Sequence, residues 1–325
     1  MAALPLSLYF LGLAAGIVAL PLASRVTVDN ILAISEKRRL RQSILGFMVL
    51  ALSTSLPELI VAINAIIIGN MAVSLGDILG SNIVNVALVL GLSLVVASFR
   101  FPKKIVIGER ERREFVTGLM ILSITLLSLL YIQYVGRFIG VGLLVTFASY
   151  SYLLFKRRRI ETETVSKEPM ASVKREVALT ILGLVFVVIS ARVALESAIE
   201  IALFFEIPAS IIGATLVAFG TSLPELSVDV RSAYRGYVSL SFGDIIGSCL
   251  LNTTLIMGLL LTFTPFGVNM IVLSDLILFS VISNLFLWYF IDTERLNRSA
   301  GLALLALYCL NMLTLLGILQ LRSIT

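Results

Sequence analysis

Two copies of one motif decide the fold: ALSTSLPELIVAI at residues 51–63 and AFGTSLPELSVDV at residues 218–230. Each copy is followed by a second shared block, GDILGSNIVNVALVLGL at residues 76–92 and GDIIGSCLLNTTLIMGL at residues 243–259. Both pairs keep one offset of 167 residues without a gap. Such self-similarity at a fixed offset indicates an internal duplication of the chain.

The composition is that of a membrane protein, because 58% of the 325 residues are hydrophobic and only 14% are charged. A bilayer core of about 30 Å needs about 20 apolar residues per helical span. The first apolar run lacks the basic segment and cleavage site of a signal peptide, so we expect it to be retained. The sequence predicts an all-α integral membrane protein with ten transmembrane helices, at about residues 3–23, 43–69, 72–99, 115–134, 137–155, 176–191, 208–230, 237–264, 270–290 and 301–321.

Five predicted spans separate equivalent points of the duplication, so the two halves should cross the membrane in opposite senses. This is the inverted-repeat plan of secondary transporters. We predict a first five-helix repeat at residues 1–155, a polar cytoplasmic linker at 156–175 and a second, inverted repeat at 176–325. The offset also relates two i,i+4 pairs at the ends of the first apolar runs, Arg25 with Asp29 and Arg192 with Glu196, which we expect to be ion pairs.

Basic residues are distributed unequally between the two sets of predicted loops. One set contains most of them, including the linker, whereas the other has only Arg137, Arg192 and Arg322. The positive-inside rule therefore places both termini outside the cell membrane in this multi-pass chain. We interpret the net charge of +5 as a topology signal and expect a lipid bilayer, with no nucleic acid, as the surroundings.

Several classes of chemistry are excluded by residue usage. The chain has no histidine, and its two cysteines, Cys249 and Cys309, both fall in apolar runs. A disulfide framework, a thiolate metal cluster and a histidine proton relay are therefore not expected. The absence of a G-x-x-x-x-G-K-[ST] sequence and of a soluble domain argues against a nucleotide-driven pump. We expect no enzyme activity and no cofactor.

Two glutamates, Glu58 and Glu225, lie within apolar runs near the middle of spans 2 and 7. An acidic residue at the bilayer centre costs about 2.5 to 3.5 kcal/mol on translocon scales, so it normally faces a cavity, a partner or an ion. No Lys or Arg lies at comparable depth in the same spans. A bound cation is the natural partner, and a protonated glutamate hydrogen-bonded between helices is the alternative.

A proline precedes each glutamate and should break spans 2 and 7, because proline lacks the N–H donor and clashes with the carbonyl four residues back. Carbonyl oxygens freed at the break are ligands of the kind that Ca²⁺ prefers. A proline kink packed for shape is the alternative. The residues around the two breaks are Ser53, Thr54, Ser55 and Pro57 in one half and Gly220, Thr221, Ser222 and Pro224 in the other.

Spans 3 and 8 contribute polar pairs at i,i+4 spacing, which places each pair on one helical face. These side chains could ligate a cation or support its ligands, although nearby glycines also fit close helix packing. An acid lies four residues before each serine, near the predicted helix start; it could stabilise the helix dipole or attract cations at the mouth of an access path. The residues are Ser81, Asn85 and Asp77 in span 3, and Ser248, Asn252 and Asp244 in span 8.

With its doubled TSLPE and G-x-x-x-GS motifs, the chain resembles the sodium/calcium exchanger family of the Ca²⁺/cation antiporter superfamily, of archaeal and bacterial type. The resemblance implies a calcium site of Glu58, Glu225 and the carbonyls of Thr54 and Thr221. It also implies sodium sites that share these glutamates, with Asn85 and Asn252 at central positions. The further sodium positions are Ala51, Ser55, Ser81, Ala218, Ser222 and Ser248.

Two departures from the archaeal pattern bear on the transported ions. Asn252 stands where relatives often have aspartate, which suggests that potassium is not co-transported. Asp77 and Asp244 replace an asparagine that is common in the family, which leaves both Na⁺ and H⁺ open as the coupling ion.

The resulting expectation is a secondary antiporter that exchanges Na⁺ for Ca²⁺. Two glutamates give the site a charge near −2, which one Ca²⁺ or two to three Na⁺ can offset, so the carrier should cross only when loaded. A Ca²⁺/H⁺ antiporter is the nearest alternative, because protonation of both glutamates would also neutralise the site. A passive cation channel is a further alternative that the duplication disfavours.

Overall fold

The structure is a computed structural model that describes residues 5–38, 40–68, 71–101, 105–132, 134–165, 172–205, 218–263, 268–269 and 273–322. Almost all of the described chain is helical. In chain order the elements are α1 (Leu6–Arg38), α2 (Gln42–Thr54), α3 (Leu56–Ile68), α4 (residues 71–100), α5 (Glu109–Ile132), β1 (Tyr134–Val135), α6 (Arg137–Val165), α7 (Lys174–Phe204), α8 (Ala218–Thr221), α9 (Leu223–Tyr234), α10 (Val238–Phe263), β2 (Val268–Asn269), α11 (Ser274–Asp292) and α12 (Arg298–Arg322).

Seven of the described helices are long and apolar enough to cross a membrane, and the bent pair α2–α3 makes an eighth span. Helix α6 adds a shorter apolar stretch, Arg137–Leu153. The predicted span 7 corresponds to α8 and α9, and its first part, residues 208–217, lies outside the described residues. The chain is therefore an all-helical, multi-pass membrane protein apart from one short antiparallel pair, β1 with β2.

Large apolar side chains cover the outer surface of the helices. On α1, for example, Leu11, Val18 and Leu22 are each more than 60% exposed. A helix with such residues at its surface is stable in hydrocarbon and not in water. These side chains indicate the lipid-facing side of α1.

Helices α1 and α7 form a long antiparallel pair packed through small residues. The backbone of Gly16 approaches Ser190 and Ala194, and further along the pair Gly183 approaches Thr27. Membrane helices pack closely where such small residues let backbones approach.

Both ends of the α1–α7 pair extend beyond the predicted spans as polar helical turns. The two predicted i,i+4 ion pairs are confirmed there, with nitrogen–oxygen distances of 3.8 Å for Arg25–Asp29 and 2.7 Å for Arg192–Glu196. The apolar runs therefore underestimated these helices, because charged residues interrupt the apolar run while the helix continues.

Helices α4 and α10 lie at the centre of the molecule. In α10 every residue from Leu240 to Leu250 is buried, and Phe242 packs with Leu90 and Leu94 of α4 in the main apolar cluster. Both helices widen into a π-helical segment at equivalent places, Val84–Val89 in α4 and Leu251–Ile256 in α10. Segments of this kind occur frequently at functional sites.

The predicted linker at 156–175 is partly helical. Helix α6 continues to Val165, and α7 begins at Lys174. Residues 166–171 lie outside the described part of the chain.

The glycine contact between α1 and α7 gives a stability prediction. A methyl group at residue 16 would lie 2.8 Å from both the Ala194 Cβ and the Ser190 carbonyl oxygen. Because backbone cannot yield easily, Gly16→Ala should destabilise the protein by about 1–3 kcal/mol, measured as a lower midpoint of thermal unfolding in detergent.

Gly142→Ala is the matched control, because a methyl group at this exposed helical position meets nothing within 4 Å. Alanine is a better helix former than glycine by about 1 kcal/mol, so the control should be neutral or stabilising. Equal midpoints for Gly16→Ala and the control would contradict the close packing.

Candidate functional site

Both helices that carry a central glutamate are broken just before it. Helix α2 ends at Thr54 and α3 begins at Leu56, with a bend of 43° between them. The second break is at Ser222, between α8 and α9. The prediction of broken helices at the two motifs is therefore confirmed. Because Pro57 and Pro224 lack an N–H, they leave the carbonyls of the residues four positions earlier without that helical bond.

The breaks place Glu58 and Glu225 in the first turns of α3 and α9. A helix N-terminus carries partial positive charge, which favours a carboxylate there. Both side chains are completely buried and lie within electrostatic reach of each other. None of the described Lys or Arg residues is buried, so the two carboxylates have no basic partner among them.

Hydroxyl groups surround the two carboxylates. The Ser55 hydroxyl donates to the Glu225 Oε1 at 3.5 Å, and the Ser81 hydroxyl faces Glu58. Ser222 and Ser248 are buried, and among the described residues their hydroxyls have no hydrogen-bond partner. The same holds for both carboxylate oxygens of Glu58. The predicted polar residues of four different segments thus converge on one buried region.

Asp77 and Asp244 belong to this region and not to the helix ends. Each lies six residues after the start of its helix, α4 or α10, so the helix-dipole interpretation is wrong. The Thr221 hydroxyl donates to Asp77 at 3.1 Å, and the Thr54 hydroxyl lies 3.4 Å from Asp244. Each aspartate therefore contacts the threonine of the opposite half and holds that broken helix in place.

Asn85 and Asn252 lie in the two π-helical segments and are completely buried. Neither side-chain atom of Asn85 has a hydrogen-bond partner among the described residues. The Asn252 amide donates to the Asn82 side chain at 3.4 Å. Both asparagines lie inside the protein, as expected. The π-helical turns change the helical spacing at these residues, so each serine and asparagine pair no longer shares a simple i,i+4 face.

Two small residues of the predicted sodium sites, Ala51 and Ala218, lie where helices approach closely. A Cβ added at Gly247 would be 2.8 Å from the Ala51 Cβ, and one added at Gly80 would be 3.2 Å from the Ala218 Cβ. These reciprocal contacts join the helix breaks to α10 and α4. Larger residues at these positions would push the central helices apart.

Sequence reasoning missed two buried polar residues of the centre, Asn82 and Asp229. The Asn82 amide donates to the Thr253 hydroxyl at 2.9 Å, and the thiol of Cys249 contacts the Asn82 carbonyl at 3.9 Å. Asp229 is completely buried one turn after Glu225. Both residues could have been found by looking for differences between the two copies of the repeat. Asn82 corresponds to Cys249, and Asp229 corresponds to Ala62.

The site offers oxygen atoms from carboxylates, hydroxyls, amides and freed carbonyls. Such ligands suit hard cations like Ca²⁺ and Na⁺. Among the described residues no group of three or more His, Cys, Asp or Glu side chains is close enough to hold a metal. A cation here would therefore draw on hydroxyl or carbonyl oxygens in addition to the glutamates.

Comparison with known proteins also indicates a protein that handles such cations. The family model described as "Sodium/calcium exchanger protein" matches residues 8–156 and 176–317. Among curated proteins, the inner membrane protein YrbG of Escherichia coli is 31% identical over 261 residues, covering 75% of this chain and 78% of YrbG. The sodium/calcium exchanger MaX1 of Methanosarcina acetivorans is 28% identical over 342 residues, covering 92% and 96%.

Solved structures of the sodium-calcium exchanger NCX_Mj are similar over nearly the whole length. One of them aligns with a TM-score of 0.82 and 26% identity, covering 95% of this chain and 99% of NCX_Mj. The two family-model segments include both helix breaks and all the buried carboxylates described above. This chain belongs to the sodium/calcium exchanger family of membrane cation transporters.

Proposed function

We propose that this chain is a secondary antiporter that exchanges Na⁺ for Ca²⁺ by alternating access at one site built on Glu58 and Glu225. One observation carries the proposal: two completely buried carboxylates begin the half-helices α3 and α9 and face each other, with no buried basic partner among the described residues. Two carboxylates in a low-dielectric interior require positive charge nearby. A cation taken from solution can supply that charge.

Shared ligands would make the two ion loads mutually exclusive. One Ca²⁺, or two to three Na⁺, would offset the glutamates, whereas an empty site would keep its charge. Moving an unbalanced charge through an occluded state is unfavourable, so only loaded carriers should cross. Because the carrier returns only with an ion bound, transport of one ion in one direction requires transport of the other ion in the opposite direction, which is exchange.

The proposed ligand set is the one implied by the family resemblance, and the burial of all its members except the half-buried Ala218 supports it. Calcium would bind Glu58, Glu225 and the carbonyls of Thr54 and Thr221. Sodium sites would share the glutamates, with Asn85 and Asn252 nearby. Their other positions would be Ala51, Ser55, Ser81, Ala218, Ser222 and Ser248.

We further propose ten spans in two inverted five-helix repeats, residues 1–155 and 176–325, joined by the linker at 156–175. Reciprocal contacts support this plan, because Thr54–Asp244 and Thr221–Asp77 are related by the offset of 167. An approximate two-fold relation between the halves would produce such pairs and two similar access states.

We place both termini outside the cell membrane from the distribution of basic residues, and contacts near the helix ends support the proposed grouping of the segments on two sides. Segments expected inside pair with one another, through Arg41–Glu114 at 2.9 Å and Lys37–Glu176 at 2.7 Å. Segments expected outside also meet, since β1 pairs with β2. The relative YrbG is named an inner membrane protein, which agrees with a cell-membrane location.

A Ca²⁺/H⁺ antiporter is the second candidate. It is favoured by the presence of Asp77 and Asp244 in the same buried region as the glutamates. Additional buried carboxyls increase the number of groups that could carry protons across. The transport experiment below separates the two candidates.

The topology can be tested by labelling single cysteines with a membrane-impermeant maleimide in intact cells. In a Cys309→Ser background, where Cys249 is buried, Arg137→Cys should react from outside because its position is exposed at the start of α6. Glu109→Cys, equally exposed at the start of α5, should react only after permeabilisation. The reverse pattern would invert the proposed orientation.

The site can be tested by ⁴⁵Ca²⁺ uptake into proteoliposomes loaded with Na⁺. Uptake by the native protein should require internal Na⁺. Glu58→Gln and Glu225→Gln should each lower the rate at least about tenfold, because each removes a charge worth well over 1.4 kcal/mol to a bound Ca²⁺. Glu36→Gln, a change near the end of α1, should transport as the native protein does.

Replacing internal Na⁺ by choline with an imposed proton gradient distinguishes the coupling ion. Uptake driven only by the proton gradient would move the function to Ca²⁺/H⁺ exchange. Uptake with neither gradient would indicate a channel, and native rates in both glutamine variants would refute the site.

A further inference from the structure

Asp229 is a buried acid that the central site does not use. It lies one turn after Glu225 on α9 and is completely buried. Neither of its carboxylate oxygens has a hydrogen-bond partner among the described residues. The groups that face it across the helix interface are Asp244 and Ser241 of α10.

Asp244 and Ser241 also carry buried oxygen atoms without partners. The Asp244 Oδ1 lies 3.4 Å from the Thr54 hydroxyl, whereas within the described chain its Oδ2 has no partner. Ser241 is completely buried, and its hydroxyl has no hydrogen-bond partner in the part of the chain that is described. Two carboxylates and a hydroxyl, all completely buried, therefore lie together between α9 and α10.

This arrangement exists in only one half of the protein. The offset of 167 relates Asp229, Ser241 and Asp244 to Ala62, Ser74 and Asp77. Ser74 and Asp77 are buried like their counterparts, but alanine replaces the second acid. The paired carboxylates are therefore specific to the second half and are not shared by the two copies of the repeat.

No described basic side chain offsets the added charge. Arg231 and Arg235, the basic residues at the far end of α9, are directed to Asp29 of α1 at 3.8 Å and 3.4 Å. Neither of them is buried. Two facing carboxylates without a base in a low-dielectric interior are strongly unfavourable unless they share a proton or a cation lies between them, and the binding experiment below separates these two states.

We propose that Asp229, Asp244 and Ser241 form a second cation site that holds one Na⁺, one helical turn from Glu225 toward the Arg231 end of α9. Ca²⁺ takes six to eight oxygen ligands, more than this enclosed set supplies, so the geometry favours a monovalent ion. The site lies beside the central one and contributes positive charge next to Glu225. Its occupancy does not require transport at Glu58 and Glu225.

Binding of ²²Na⁺ to the purified protein tests the site in a Glu58→Gln/Glu225→Gln background, where the central glutamates no longer contribute charge. We expect one Na⁺ per chain to remain bound. Adding Asp229→Asn should weaken that binding at least about tenfold, because it removes one of two carboxylate ligands. Ser241→Ala should weaken it less. A thermal unfolding midpoint measured for each variant checks that it is folded.

Ser74→Ala in the same background is the matched control for Ser241→Ala, because Ser74 corresponds to Ser241 and is equally buried but lies in the half that has Ala62 in place of the second acid; it should leave ²²Na⁺ binding unchanged. If Asp229→Asn fails to fold, Asp229→Ala, which copies Ala62, replaces it.

The site is refuted if the background variant binds no ²²Na⁺ or if Asp229→Asn binds it normally. Retention of ⁴⁵Ca²⁺ in place of ²²Na⁺ would overturn the monovalent assignment. The two proposals fail separately, because a failure of Na⁺/Ca²⁺ exchange would appear only in the uptake experiment and not in this binding experiment.

Discussion

Carboxylate charge that is buried without a base is the constraint on which the rest of this structure depends. Five acids lie in the centre, and none of the described Lys or Arg residues is buried with them: Glu58, Asp77, Glu225, Asp229 and Asp244. Interior charge of one sign is tolerated only when an opposite charge or dipoles compensate it. The hydroxyls, helix N-termini and freed carbonyls around these acids supply dipoles, which leaves the positive charge to cations.

The centre also explains why the backbone is irregular where it is. Proline before each glutamate ends one helix and starts another, so that a carboxylate sits at a helix N-terminus in the middle of a span. Within α4 and α10 the π-helical segments displace Asn85 and Asn252 from a regular helical face. Glycines allow these helices to approach the breaks closely. Irregular backbone inside a membrane is stable only where protein or a cavity satisfies its polar groups.

Much of this could be predicted from the sequence, because an acid or a proline inside an apolar run leaves few physical alternatives. The two glutamates, the two helix breaks and the surrounding serines and threonines were all predicted to be near one another. Asp77 and Asp244 were expected near the helix starts, with a helix-dipole role and cation attraction at an access path both left open, because the apolar runs do not reveal which threonine packs against them. Asn82 and Asp229 were missed because they differ between the repeats, and a search for shared residues passes over them. The length of α1 and α7 was underestimated, since hydropathy does not detect polar helical extensions.

Asn82 and Cys249 occupy equivalent positions of the duplication, yet they touch each other. In the proposed inverted-repeat plan, contact between equivalent residues places the approximate two-fold axis between them. In a dimer of identical chains such a residue meets its own copy, so every mutation there appears twice at the same point. Once the gene is duplicated, each copy changes alone. Asparagine beside cysteine, and aspartate in one half where the other has alanine, are combinations that a dimer of identical chains cannot have. The unequal centre therefore places this specialisation after the duplication in evolutionary order.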